Sequence, residues 1–141
     1  MNTKEYLGQA YRIDQRINSK LEQVASLREL ATKATSTLRD GVFKATKNVQ
    51  SMEETITKII DLEAAINRDI DKLVDIKLEI VLVIKRIQNP EYHTLLELRY
   101  LCFKSWEQIA VTLGYSIQHI FRLHDKALSC VEIPKVESKC D

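Results

Sequence analysis

Four polar side chains recur at helical spacing near the carboxyl end of this chain, and each carries a hydrogen-bond donor. Gln118, His119, Arg122 and Lys126 are one, three and four residues apart, a spacing that puts them on one face of a helix. Gln pairs bidentately with adenine and Arg with guanine in the major groove, whereas Lys binds phosphates. With Ser116 as a further phosphate donor, these residues form a candidate DNA-binding set.

The surrounding residues predict a helix-turn-helix that would position this set. Ser105 and Gln108 have the reciprocal capping spacing that starts a helix, and Gly114 is typical of a helix end because glycine adopts the left-handed conformation without a Cβ penalty. Ser116 can cap a second helix directly afterwards. That helix would run from Ser116 to Leu128 and bury three apolar residues, Ile120, Leu123 and Ala127.

This segment resembles region four of bacterial primary sigma factors. The stretch Trp106-Glu107-Gln108-Ile109-Ala110 is similar to that family's first helix, and Lys126-Ala127-Leu128 to its closing residues. The chain resembles still more closely the phage-encoded transcription activators of the RinA and ArpU kind, in LLELRYL (95–101) and FRLHDKAL (121–128). The resemblance implies a transcription regulator of a phage or prophage that binds double-stranded DNA. Region-four-like domains of sigma factors also touch RNA polymerase, so bacterial RNA polymerase is a second candidate partner.

The start of the second helix departs from the sigma pattern. Sigma-like recognition helices usually begin with arginines, but this one begins Ser116-Ile117-Gln118-His119, so Arg122 and Lys126 are its fixed positive charges. The chain has a formal net charge of only +1, and residues 91–141 contain six Lys or Arg against seven acids. The predicted DNA-binding domain is therefore not basic, which favours dimerisation or a partner that supplies affinity.

Composition predicts an all-α fold, because the 141 residues include three glycines and two prolines and 45% of them are apolar. An apolar stripe predicts an N-terminal helix in residues 1–31, and the Thr-, Ser- and Lys-rich residues 32–50 indicate a linker. The Ser51–Glu54 segment has capping-box spacing and predicts the start of a long helix over residues 51–89.

A heptad seam runs along one face of this predicted helix. Its residues are alternately four and three apart, and all but two charged ones are apolar: Met52, Ile56, Ile59, Glu63, Ile66, Ile70, Leu73, Lys77, Ile80, Ile84 and Ile87. The first helix could cover it in an antiparallel hairpin, or two chains could pair through it as a homodimer. The periodicity is compatible with both arrangements.

Asn89-Pro90 ends the long helix and begins a third, predicted over Pro90 to Phe103. Its Leu95, Leu98 and Cys102 are expected to face the helix-turn-helix. This gives a sigma region-four-like domain over residues 90–130 and a flexible tail over residues 131–141.

Other functional classes find little support in the sequence. His119 and His124 lack the spacing and companion ligands of a metal site, and no phosphate-binding loop or nucleophile motif is present, so we expect no cofactor and no catalytic activity. Reduced thiols are expected at Cys102, Cys130 and Cys140. The longest apolar run, Ile80 to Ile84, is too short to span a membrane, which favours the bacterial cytoplasm.

Alternatives that do not involve DNA binding stay open for these residues. Arg122 could pair with a surface acid, and Phe121 could pack on the preceding helices or touch a thymine methyl. The chain as a whole could be a non-catalytic helical adaptor or assembly protein that acts through its heptad seam.

Overall fold

The computed structural model describes residues 1–40 and 45–134, with the side chains of residues 1–34 and 49–134. Every regular element in these residues is helical, which confirms the all-α prediction. The elements are α1 (Thr3–Leu7), α2 (Gln9–Asp40), α3 (Ala45–Lys85), α4 (Pro90–Leu96), a π-helical turn (Glu97–Leu101), α5 (Trp106–Leu113) and α6 (Ile117–Ser129). No helix within the described ranges is long and apolar enough to cross a membrane.

The chain divides into two compact units. The terminal unit combines Met1–Arg12 with Leu73–Asp141, and the hairpin unit is Ile13–Lys72. The terminal unit has one apolar core, which α1, the end of α3, α4, α5 and α6 all contribute to. Its largest fully buried side chains are Leu7, Ile80, Ile84, Leu95, Leu96, Ile109 and Ile120.

Two ion pairs in the hairpin unit show that its helices run antiparallel. Lys20 Nζ lies 2.6 Å from Asp69 Oδ2, and farther along α2 the guanidinium of Arg28 pairs with Glu63, an earlier residue of α3. The hydrogen bond from Lys20 lowers the pKa of Asp69, which is itself buried. The antiparallel hairpin, one of the two arrangements compatible with the seam, is therefore the one found within this unit.

The boundaries predicted for the first two helices were wrong. Gly8 separates α1 from α2, which continues to Asp40, and α3 begins at Ala45, so residues 32–40 and 45–50 of the predicted linker are helical. Ser51 starts no helix; inside α3 its carbonyl accepts a hydrogen bond from the Thr55 hydroxyl. Loss of an apolar stripe removes a packing surface, but Thr, Ser and Lys can still be helical. Residues 41–44 of that linker lie outside the described part.

The third helix differs from its prediction in its last turn. Asn89 caps α4 with Pro90 in the first turn, as predicted, and Leu95 is fully buried. Residues Glu97–Leu101 then form a π-helical turn, whose i→i+5 hydrogen bonding shifts the helical register. Consequently Tyr100 is buried, whereas Cys102, predicted to be a core residue, is exposed.

The predicted heptad seam, whose last residue Ile87 lies beyond the end of α3 at Lys85, is covered unevenly. Ile80, Ile84 and Ile87 are buried in the core of the terminal unit, whereas Ile56 and Ile70 remain more than 40% exposed. In the terminal unit a different set of apolar residues on α3 is exposed, namely Val74, Leu78, Val81 and Leu82. The carboxyl-terminal half of the predicted seam is thus buried within the chain's own core.

Candidate functional site

Three local signals set the geometry of the helix-turn-helix, and the structure confirms each. Ser105 and Gln108 form the reciprocal capping box that starts α5. Gly114 ends α5 in the left-handed conformation, with φ at 75°. Ser116 Oγ then accepts a hydrogen bond from the backbone N–H of His119 and caps α6. The tight turn between the helices is therefore fixed by side chains within twelve residues of one another.

The inner face of α6 is buried against the rest of the terminal unit. Ile120 and Ala127 are fully buried and Leu123 is nearly so, as predicted. His124 is buried with them, and its Nε2 lies 2.6 Å from the Tyr100 hydroxyl of the π-helical turn. Burial lowers the pKa of His124 to about 4 and raises the pKa of Tyr100 to about 12. Both groups are therefore neutral at neutral pH, as a buried hydrogen-bonded pair should be.

A cluster of rings holds α6 against α5. The Trp106 ring lies 4.7 Å from the His124 ring and 5.3 Å from the Phe121 ring, both edge to face. The Arg99 guanidinium lies 4.2 Å from the centre of the same indole ring. Phe121 thus packs back onto the preceding helix, as one of its two predicted roles required, while 44% of its surface stays exposed.

The outer face of α6 presents the candidate residues to solvent. Gln118, Arg122 and Lys126 are exposed and lie four residues apart, in one row along the helix. None of the three makes a side-chain hydrogen bond or ion pair within the described residues. The donors of this row are therefore available to an external partner, and Arg122 has no partner among the acids that the structure describes.

His119 and Ser116 are placed differently from that row. Ser116 is exposed at the start of α6, but its hydroxyl oxygen already caps the helix. The His119 ring is half-buried and lies 4.4 Å from the Tyr115 ring, edge to face. Because this contact restricts the imidazole, His119 is a more rigid member of the surface than Gln118 or Arg122.

Tyr115 and Glu91 belong to this surface, but the sequence did not point to them. The Tyr115 hydroxyl donates a hydrogen bond to the Glu91 carboxylate on α4, and this carboxylate raises the pKa of Tyr115. The two residues are 24 positions apart, so no local pattern could have paired them. The hydrogen bond ties the turn to α4 and places one acid near the amino end of α6.

The donors on this surface can bind hydrogen-bonding and anionic groups. The surface offers one amide, one guanidinium and one ammonium group in a row, and the helix dipole adds partial positive charge at the Ser116 end. Asp125 is the acid on α6 itself and is also exposed. The resulting charge is modest, so this face can bind a ligand through donor geometry more than through bulk electrostatic attraction.

Comparison with known proteins finds one family. A family model described as "Protein of unknown function (DUF1492)" matches residues 33–132, which include all of α3 and all of the helix-turn-helix. No curated protein and no solved structure matches the chain.

Proposed function

The chain belongs to the DUF1492 family, and we propose that it is a DNA-binding transcription regulator that uses α6 as its recognition helix. The observation that carries the proposal is the exposed row of Gln118, Arg122 and Lys126 on the second helix of a helix-turn-helix. Such a helix enters the major groove and contacts base edges from its amino-terminal half. The resemblance to sigma region four supports the same role and extends it to phage or prophage genes.

Each residue has a distinct role in this proposal. Gln118 and Arg122 contact base edges, with Gln suited to adenine and Arg to guanine, and His119 contacts an adjacent base from its fixed position on Tyr115. Lys126, at the carboxyl-terminal end of the row, binds a backbone phosphate, as does the Ser116 hydroxyl through its hydrogen. The protein does no catalysis and needs no cofactor for this function.

The test is selection from a randomised duplex pool, followed by titration of the enriched site over a range of salt concentrations. We expect one enriched sequence. Arg122→Ala should weaken binding to it by ~1 to 3 kcal/mol and relax one base position, because a bidentate pair is lost. Lys126→Ala should weaken binding about evenly across sequences and reduce the salt dependence by about one counterion.

A matched control is available in the hairpin unit. The double variant Gln118→Ala, Arg122→Ala changes the same residue types as Gln15→Ala, Arg68→Ala, and all four side chains are exposed. Only the first should abolish enrichment. If both double variants select the parent's site, or if the parent enriches none, α6 is not a recognition helix.

We further propose that two copies bind DNA together, because a nearly neutral domain gains affinity from doubled contacts. The exposed residues Val74, Leu78, Val81 and Leu82 suit this role better than the buried end of the heptad seam. Asp75 lies near one end of this surface and Lys85 at the other, so antiparallel copies would place opposite charges side by side.

Sedimentation should show a dimer that the double variant Leu78→Gln, Leu82→Gln dissociates. The two DNA half-sites bound by this dimer should lie about 34 Å or a multiple apart. A monomer at all concentrations would refute this part.

The second candidate function is a non-catalytic adaptor, and the same exposed apolar surface favours it. The sigma resemblance makes bacterial RNA polymerase the partner to test first. Pull-down with purified polymerase should retain the parent chain in the absence of DNA, and Leu78→Gln, Leu82→Gln should reduce retention. Retention combined with no site enrichment would favour the adaptor over the DNA-binding regulator.

A further inference from the structure

A cleft of about 400 Å³ lies in the terminal unit, beside the first helix of the helix-turn-helix and apart from the outer face of α6. Its walls come from α1, the start of α2, the π-helical turn and the start of α5. They include two cations, three aromatic residues and the two members of the α5 capping box: Lys4, Arg99, Tyr11, Tyr100, Phe103, Ser105 and Gln108. No carboxylate is among its lining residues in the described part of the chain.

The polar groups of this cleft have donors to spare and few free acceptors. Lys4 makes no ion pair with a described residue. Arg99 uses Nη1 to donate to the Lys104 carbonyl at 3.0 Å, which leaves its other N–H groups able to donate to a ligand. In the capping box the Ser105 hydroxyl and the Gln108 side-chain carbonyl both accept from backbone N–H groups. The Ser105 O–H and the Gln108 NH₂ can therefore still donate to a ligand. A pocket lined by such donors is complementary to an anion.

The aromatic side of the cleft is held in place at an energetic cost. Phe103 has a positive φ of 57°, which is unfavourable for any residue with a Cβ. The Lys104 N–H, which donates to the Leu98 carbonyl at 3.0 Å, helps hold the chain in this conformation. The Phe103 ring meets the Tyr11 ring edge to face at 5.6 Å, and Lys77 Nζ lies 4.7 Å from its centre. The backbone thus places an aromatic ring next to the cationic groups.

We propose that this cleft binds a small organic anion with a planar ring, its carboxylate or phosphate held between Lys4 and Arg99 and its ring against Tyr11 and Phe103. The proposal is independent of DNA binding by α6. Its consequence concerns the helix-turn-helix, since Ser105 and Gln108 form the start of α5. A ligand that bound both would stabilise the capped form of that helix and the terminal unit with it.

The test is a titration of the full-length protein with sodium salicylate, which joins a planar ring to a carboxylate, followed by amide chemical shifts. We expect saturable shifts at Tyr11, Phe103 and Gln108 with a Kd of about 1 mM. Inorganic phosphate, which has no ring, and benzyl alcohol, which has no charge, should each bind more weakly. No saturation by about 10 mM salicylate would overturn the proposal.

Two exposed lysines provide a matched pair of variants, Lys4 at the cleft and Lys58 in the hairpin unit. Lys4→Gln should raise the Kd for salicylate about two- to fivefold, the usual range for one partly solvated charge, whereas Lys58→Gln should leave it unchanged. Phe103→Gly should remove the preference for salicylate over phosphate while relieving the positive φ, and its melting temperature reports whether the fold persists. Equal effects of both lysine variants would overturn the site, as would displacement of salicylate by a nonspecific DNA duplex, which would make backbone phosphate the occupant.

Discussion

The terminal unit and the hairpin unit are both helical, but different interactions stabilise them. In the terminal unit, short helices start and end at specific caps and enclose an apolar core of many fully buried side chains. In the part of the hairpin unit whose side chains are described, few residues on the two long helices are buried, among them Ile17, Val24 and Ile66, and ion pairs fix which residues face each other. Dense core packing therefore dominates one unit and electrostatic pairing contributes more to the other.

The largest expected difference is in core truncation. Leu95 is fully buried on α4, so Leu95→Ala should cost about 2 to 5 kcal/mol of unfolding free energy because a cavity remains. Ile66→Ala removes a comparable side chain from the hairpin unit, where the helices can close more easily around the gap, and should cost less. Denaturant unfolding measures both. An equal or larger cost at Ile66 would show that the two units are packed alike.

The second difference is in the response to acid. The pKa of His124 falls from 6.5 to about 4 on burial, so the folded terminal unit resists protonation. Between these two pH values the unfolded state binds a proton at His124 that the folded state does not. The stability of the terminal unit should therefore be unaffected above pH 6.5 and decrease as the pH falls from 6.5 towards 4. The pKa of Asp69 in the hairpin unit is lowered from 3.8, chiefly by Lys20. The contribution of ionised Asp69 to the free energy of unfolding should persist until the pH falls below about 3.8.

Hydrogen exchange measured between pH 7 and 4 tests this order after correction for the intrinsic rate. Amides of α6 should lose protection before those of α2 near Lys20. His124→Gln keeps a polar partner for Tyr100 and should remove much of the pH dependence in the terminal unit. If the hairpin unit loses protection first in both proteins, His124 is not the group that limits acid stability.

Helix caps offer a smaller and more local comparison. Ser105→Ala removes one half of the α5 capping box and should cost about 0.5 to 2 kcal/mol. Ser51→Ala changes the same residue type inside α3, where its side chain caps no helix, and should change stability by less than about 0.5 kcal/mol. Thermal melting of the two variants distinguishes them. A loss at Ser51 as large as that at Ser105 would contradict the observed start of α3.

The same contrast explains what the sequence could predict. Ser105, Gly114 and Ser116 act on residues three or four positions away, so the helix-turn-helix and the face of α6 could be predicted from spacing. The Tyr100–His124 and Tyr115–Glu91 contacts each join residues 24 positions apart, and Lys20 and Asp69 are 49 positions apart. Apolar periodicity carries no information about such pairs. The π-helical turn was missed for a related reason, because it breaks the 3.6-residue period on which the core assignment of Cys102 depended.

The smallest expected effect sharpens the comparison within the hairpin unit. Arg28 and Glu63 pair with side chains that are 64% and 45% exposed, whereas Asp69, the partner of Lys20, is only 11% exposed. Water and salt screen the first pair, so Arg28→Gln should cost at most about 1 kcal/mol and the cost should shrink as salt is added. Lys20→Gln leaves a buried carboxylate without its main partner and should cost more, with weaker salt dependence. Denaturant unfolding at low and high salt compares the two. Equal, salt-insensitive costs would mean that the pairs contribute through packing of their aliphatic stems, and the electrostatic account of the hairpin unit would fail.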